Sequence, residues 1–158
     1  MMEPDCCCAP SAPPSAVIHL LQLALLLPLA LFHLVGPVPP ELGAHDGRLA
    51  ACPSPAHCAR ADWAVADPAA ALAALAPVVE GLPRTEVVER SGPYLHATAS
   101  SALFGFVDDL ELLADPQHGL LQARSVSRLG DSDLGVNGRR LAALQGALAA
   151  AVAEDPGD

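Results

Sequence analysis

The chain contains no lysine. Its positive charge rests on eight arginines set against 18 acids, giving a formal net charge of −10 over 158 residues. Aromatics are nearly as scarce: one Trp, one Tyr and three Phe. Nucleic-acid binders show a basic stripe and a high isoelectric point. This chain has an isoelectric point near 4.8, so no nucleic-acid partner is expected. With so few rings, the core has to be built from Leu, Val and Ala. The phosphate loop G-x-x-x-x-G-K-[ST], the fingerprint G-x-G-x-x-G and the zincin motif H-E-x-x-H are all missing. No cofactor and no metal are expected.

One long apolar run is present. Ala16 to Val35, "AVIHLLQLALLLPLALFHLV", is twenty residues without a formal charge. As a helix it would span about 30 Å, the thickness of a bilayer core. A cleaved signal peptide wants a basic n-region and small residues at the cut. "MMEPDCCCAPSAPPS" has neither Lys nor Arg and carries two acids. The expectation is therefore a single-pass anchor over 16–35 behind a disordered leader, 1–15, with a signal segment as the alternative. The cysteines Cys6, Cys7 and Cys8 are read as incidental to that leader. Arg48, the lone basic residue near the segment, puts the domain on the cytoplasmic side if the positive-inside rule is applied literally.

Past the anchor, residues 36–62 read as a linker rich in Pro and Gly, carrying Cys52 and Cys58 in "CPSPAHC". Three readings compete. A metal site would want closer spacing and further ligands. Two free thiols would suit a reducing compartment. A disulfide is favoured, because Pro53 and Pro55 restrict the loop that separates the two sulfurs. A bond implies an oxidising compartment, which would place the domain outside the cytoplasm and overrule Arg48.

Residues 63–153 read as one α+β domain, with a tail at 154–158. Asp67-Pro68 is a helix start, since Asp caps well and Pro suits the first helical position. Leu72, Leu75 and Val79 follow at helical spacing. Pro77 is expected to kink or end that helix, and Gly81 to mark its stop. "RTEVVERSG", "YLHATASSALFGFVDDLELLAD" and "LLQARSVSRLG" read as strands, divided by Ser91-Gly92-Pro93 and an Asp115–Gly119 loop, with a bend or new strand at Gly105. A last helix, Asn137 to about Ala153, sets Leu141, Leu144, Leu148 and Val152 on one face. The expected fold is an antiparallel sheet of three to four strands with two flanking helices.

Half of the arginines fall in "ARSVSRLGDSDLGVNGRR", residues 123–140: Arg124, Arg128, Arg139 and Arg140. Together with "CPSPAHC" and "FVDDLE", this stretch resembles a family called domain of unknown function 1499. The resemblance covers residues 42–150 and rests on Cys52, Pro53, Ser54, Pro55 and Cys58, on Phe106 to Asp109 with Glu111, and on Arg124, Ser125, Ser127, Arg128, Gly130, Ser132, Asp133, Gly135, Val136, Asn137 and Arg140. The chain departs at Ala56-His57, where the family pattern has Pro-Asn. The resemblance implies an α+β domain, often membrane-tethered or exported, and brings no activity.

In a hairpin where Leu113 faces Leu120, Asp109 falls opposite Arg124 and Glu111 opposite Gln122, with Arg128 on the face of Arg124. A one-residue slip would pair Arg124 with Leu110. Asn137 reads as the N-cap of the last helix, leaving Arg139 and Arg140 in a first turn that favours acids. The candidate polar or anion site is Asp109, Glu111, Arg124, Arg128, Asp133, Asn137 and Arg140. With Arg139, Asp108 and Asp131 added, four arginines meet five acids there, so the favoured reading is a self-neutralising ion-pair network. The alternatives are a bound phosphate or carboxylate or hydrolase-like catalysis at Asp109, Arg124 and Arg128. A hard cation on the alternating acids and a Ser–His pair through His96 or His118 are weaker. Tyr94 and Trp63 read as packing residues. The functional expectation is a membrane-anchored, extracytoplasmic binding or accessory domain, not an enzyme, partnered by an unknown protein or a small anionic ligand.

Overall fold

The computed structural model describes residues 35–154. The leader, all but the last residue of the 16–35 segment, and the residues after Glu154 lie outside that range. Among the described residues no helix is long and apolar enough to cross a membrane.

Five strands and two helices follow in the order β1 (Cys58–Ala64), α1 (Pro68–Glu80), β2 (Thr85–Ser91), β3 (Tyr94–Ser100), β4 (Val107–Asp115), β5 (Leu120–Ser127) and α2 (Val136–Glu154). The strands form one antiparallel sheet in the order β1-β5-β4-β3-β2. The fold is α+β as expected, with five strands instead of three or four. The additional strand, β1, starts inside the segment read as a linker. "CARADWA" lacks β-branched residues, so its propensity is weak; its place comes from pairing with β5, where Arg60 faces Arg124 and Trp63 faces Leu121.

Both helices pack on one face of the sheet. Leu72, Leu75 and Val79 of α1 and Leu141, Leu144 and Leu148 of α2 meet Leu95, Leu110, Leu112 and Leu121 of the strands. Trp63 joins this core. Val152, expected on the buried face, is 62% exposed because α2 runs beyond the edge of the core. Along α1 the Asp67 carboxylate accepts from Ala69 N and Ala70 N at 2.9 Å, Pro68 opens the first turn, and Gly81 closes the last. Pro77 does not end the helix. It sits in the last turn, where the backbone bond it forfeits is one of few remaining, and its own carbonyl accepts from Gly81 N at 3.0 Å. Asp67→Ala is expected to cost about 1 kcal/mol, read as a small drop in the thermal midpoint.

The opposite face of the sheet is covered by irregular chain. Leu49 packs on Tyr94 and Leu113, so residues of the supposed linker are docked onto the domain. Strand β4 is buried along its whole length, since both of its faces are covered. Every second β4 side chain therefore enters the apolar helix side, and the alternate set enters the side under the irregular segment.

Candidate functional site

The β4–β5 hairpin closes more tightly than the sequence suggests. Asp115 pairs with Leu120, leaving a four-residue turn in which Gly119 takes φ +65° and Asp115 Oδ1 accepts from His118 N at 3.2 Å. The register is therefore shifted by two residues: Glu111 faces Arg124, Asp109 faces Val126 and Leu113 faces Gln122. An even shift keeps every side chain on its expected face, so Asp109, Glu111, Arg124 and Arg128 do share one side.

That side holds a dense polar network. Arg124 donates through Nη1 to Glu111 Oε2 at 2.8 Å and through Nη2 to Glu41 Oε1 at 2.9 Å. Glu111 Oε1 also accepts from Gly43 N at 2.7 Å and from the Tyr94 hydroxyl at 2.8 Å. Arg128 grips Asp109 with both Nε and Nη2, at 2.8 and 2.7 Å, and His96 Nε2 lies 2.8 Å from the same carboxylate. Gln122 accepts from Leu49 N and Arg60 Nη2 and donates to Gly47 O. Asp109, Glu111, Arg124 and Gln122 are fully buried. Buried charges need this degree of pairing. Burial by itself would raise Asp109, but the Arg128 and His96 contacts outweigh it and hold the carboxyl below its ordinary range. Bonding to Asp109 raises Arg128 in turn. Burial, and then Glu111 beside it, push the Tyr94 phenol far up.

The sign of the linkage follows from the lowered Asp109. A carboxylate held below its unfolded value, about 3.9, adds stability that is fully present above that value and is lost as pH falls through the folded one. The protein is therefore expected to lose stability below about pH 4, and Asp109→Asn to flatten that part of the curve. Urea midpoints measured from pH 6 down to pH 2.5 check this.

The other three candidates lie on the helix side. Arg140 donates through Nη2 to Asp108 Oδ2 at 2.8 Å and through Nη1 to Ser125 Oγ and Asn137 Oδ1 at 2.8 and 2.7 Å. Ser127 donates to Asp108 Oδ1 at 2.6 Å. Asn137 is wholly buried within α2, not its N-cap, and its amide donates to His57 O and Ser127 Oγ. The helix start is served by Asp133, whose carboxylate accepts from Gly135 N at 2.7 Å and Asn137 N at 2.8 Å. Burial raises Asp133, but these amides hold it below its ordinary range. An acid at this end offsets the penalty on arginines in the first turn, and Arg139 turns back to the Leu134 carbonyl. The seven candidates are thus divided by the sheet: four on the irregular-segment side, three on the helix side. Ser125 and Ser127 sit on the opposite face from His96, and His118 bonds Asp115 through Nδ1 at 2.7 Å, so the expected pairing of either serine with His96 or His118 is not seen. Asp108, Asp109 and Glu111 of β4 are each ion-paired with an arginine, and among the described residues no group of three His, Cys, Asp or Glu could hold a metal.

Cys52 and Cys58 are joined by a disulfide, with their Cα atoms 5.5 Å apart. The bridged loop presents two carbonyls to the arginine-rich stretch: Ser127 N donates to His57 O and Asp133 N to Ala56 O, both at 2.9 Å. The two conspicuous sequence motifs are therefore one physical unit.

Sequence reasoning missed the cavity. Of about 720 Å3, it lies between the 82–85, 99–106 and 127–136 segments, with Asp108 and Arg140 among its polar lining. Its walls include Leu103, Phe106, Leu129, Leu134 and Val136. It touches none of Asp109, Glu111, Arg124 and Arg128. The only signal in the sequence was the adjacency of Asp108 and Asp109, which a strand must send to opposite faces.

A family model described as Protein of unknown function (DUF1499) matches residues 38–148. No curated protein matches the chain.

Proposed function

The chain belongs to the DUF1499 family, whose description names no activity, and we propose from the site that it is a non-catalytic binding or accessory domain, anchored in a membrane through residues 16–35 and facing an oxidising compartment. One observation carries the binding part. The arginine-rich stretch is engaged within the fold, while an apolar cavity stays open beside it. Arg124, Arg128 and Arg140 each hold an acid at 2.7–2.9 Å. A group so engaged has no spare charge for a substrate, and the Ser125 and Ser127 hydroxyls donate to Asn137 and Asp108. The hydrolase-like and anion-site alternatives at Asp109, Arg124 and Arg128 would need these pairs to open at the cost of stranding a buried charge. The uncharged length of 16–35 supports the anchor, and the Cys52–Cys58 bond supports the compartment.

Two arms test the reading. Alkaline extraction of membranes is expected to leave the full-length chain in the pellet; release into the soluble fraction would sink the anchor. Thiol labelling of unreduced protein in intact cells is expected to spare Cys52 and Cys58. Ready alkylation of both would refute the bond and the compartment together.

A further inference from the structure

We propose that the 720 Å3 cavity takes a single-chain amphiphile with a singly charged anionic head, of the fatty-acid class, with Arg84 as the head-group contact. This rests on the reading of the domain as a binding module and assigns that module its ligand. The volume lies within the ~300–1,000 Å3 usual for small-molecule sites.

The chain end of the ligand is read from the walls. Leu134 is 84% exposed, Leu103 76% and Val136 40%, and all three border the same cavity. Scattered exposed apolar residues need no explanation, but three around one opening do. Leu134 adds a second oddity. Its φ is +54°, a conformation a bulky side chain rarely adopts. Three described non-glycine residues have positive φ, namely Asp46, Arg84 and Leu134, and the last two both line the cavity. Backbone strain of this kind collects at ligand clamps, and at Leu134 no burial within the fold offsets it.

The head is read from the charges. Of the acids on the cavity lining, Asp108 is neutralised by Arg140 at 2.8 Å, and Asp133 is held at the start of α2 by two backbone amides. Of the arginines, Arg140 is held by Asp108. Arg84 is exposed, donates through Nε to Ser100 O at 3.0 Å, and makes no ion pair among the described residues. Its terminal nitrogens remain for an anion. Arg84 also borders a second cavity, of about 490 Å3, lined by the polar groups of Thr85, Thr98, Ser100 and Ser101. The guanidinium therefore stands where an apolar space meets a polar one, as the head of an amphiphile requires. Glu86 lines the polar side as well, and its charge disfavours a doubly ionised phosphate relative to a carboxylate.

The test uses the full chain in phospholipid nanodiscs and a palmitate analogue with a photoreactive diazirine near its chain end, with the labelled sites mapped by peptide mass spectrometry. Label is expected on residues 101–106 and 129–136. Excess palmitate is expected to compete at least about tenfold better than methyl palmitate, one charge-assisted contact being a factor of that order. Arg84→Gln should bring the two competitors within about twofold, and Leu134→Asp should abolish the cavity label. Both residues are exposed, so unchanged melting curves control for folding. Label confined to residues 16–35 would overturn the cavity assignment while leaving the anchor standing. Equal competition by acid and ester would overturn the role of Arg84. Label at neither place would contradict both the ligand and the membrane reading.

Discussion

Arg124→Ala and Arg128→Ala are each expected to lower the thermal midpoint by roughly 10 °C, because each strands a buried acid. Arg124 is fully buried between Glu111 and Glu41, and Arg128 closes a two-point grip on a fully buried Asp109. Truncating one partner of such a pair typically costs about 3 kcal/mol or more, since the remaining carboxylate has neither water nor a counter-charge. For a domain of this size each kcal/mol moves the midpoint by roughly 3–5 °C. The loss at Arg128 should shrink in acid, where Asp109 protonates in the variant. A ligand-site role makes a different forecast: the midpoint would stay unchanged, with binding alone lost. Calorimetry of the two variants beside the parent separates the two.

Reduction of the Cys52–Cys58 bond is expected to have the next largest effect. A seven-residue loop closed by a disulfide gains about 2–3 kcal/mol from the restricted unfolded chain. The loop also aims the Ala56 and His57 carbonyls at Asp133 N, Ser127 N and the Asn137 amide. Loosening it removes partners from buried donors, each worth about 1–3 kcal/mol when left unsatisfied. The midpoint should fall by roughly 8 °C or more in reductant. Amide exchange at Ser127 and Asp133 should quicken more than at Leu110 and Leu112, which the loop does not touch. An unchanged midpoint, or uniform quickening, would show that the bond clasps nothing.

What the sequence discloses depends on how local its cause is. The Asp67-Pro68 start and the Leu72, Leu75 and Val79 stripe of α1 are short-range signals, and the structure keeps them. The alternation that puts Glu111 and Arg124 on one face is equally local. The hairpin register is not, because it depends on the Asp115 side chain and the positive φ of Gly119 choosing a four-residue turn. Strand β1 escapes notice because "CARADWA" has little strand propensity, and its partner β5 lies about 60 residues away in sequence. The division of the arginine motif between two faces needs the docking of α2, which brings Arg140 to Asp108 across 32 positions. The cavity is least legible of all: three separate segments build it, and no periodicity links them.

Arginine-selective modification of the folded full-length protein, with each site quantified by mass spectrometry, tests most directly the claim that the motif is engaged within the fold. Arg48, Arg84, Arg90 and Arg139 are exposed, whereas Arg124 is buried and Arg128 half-buried, each held against an acid. The expected result is rapid modification of the first four by a dicarbonyl reagent and protection of Arg124 and Arg128 until denaturant unfolds the domain. Modification of Arg124 or Arg128 at the rate of Arg84 in the native protein would contradict the account, and would return those residues to the role of an open anion site.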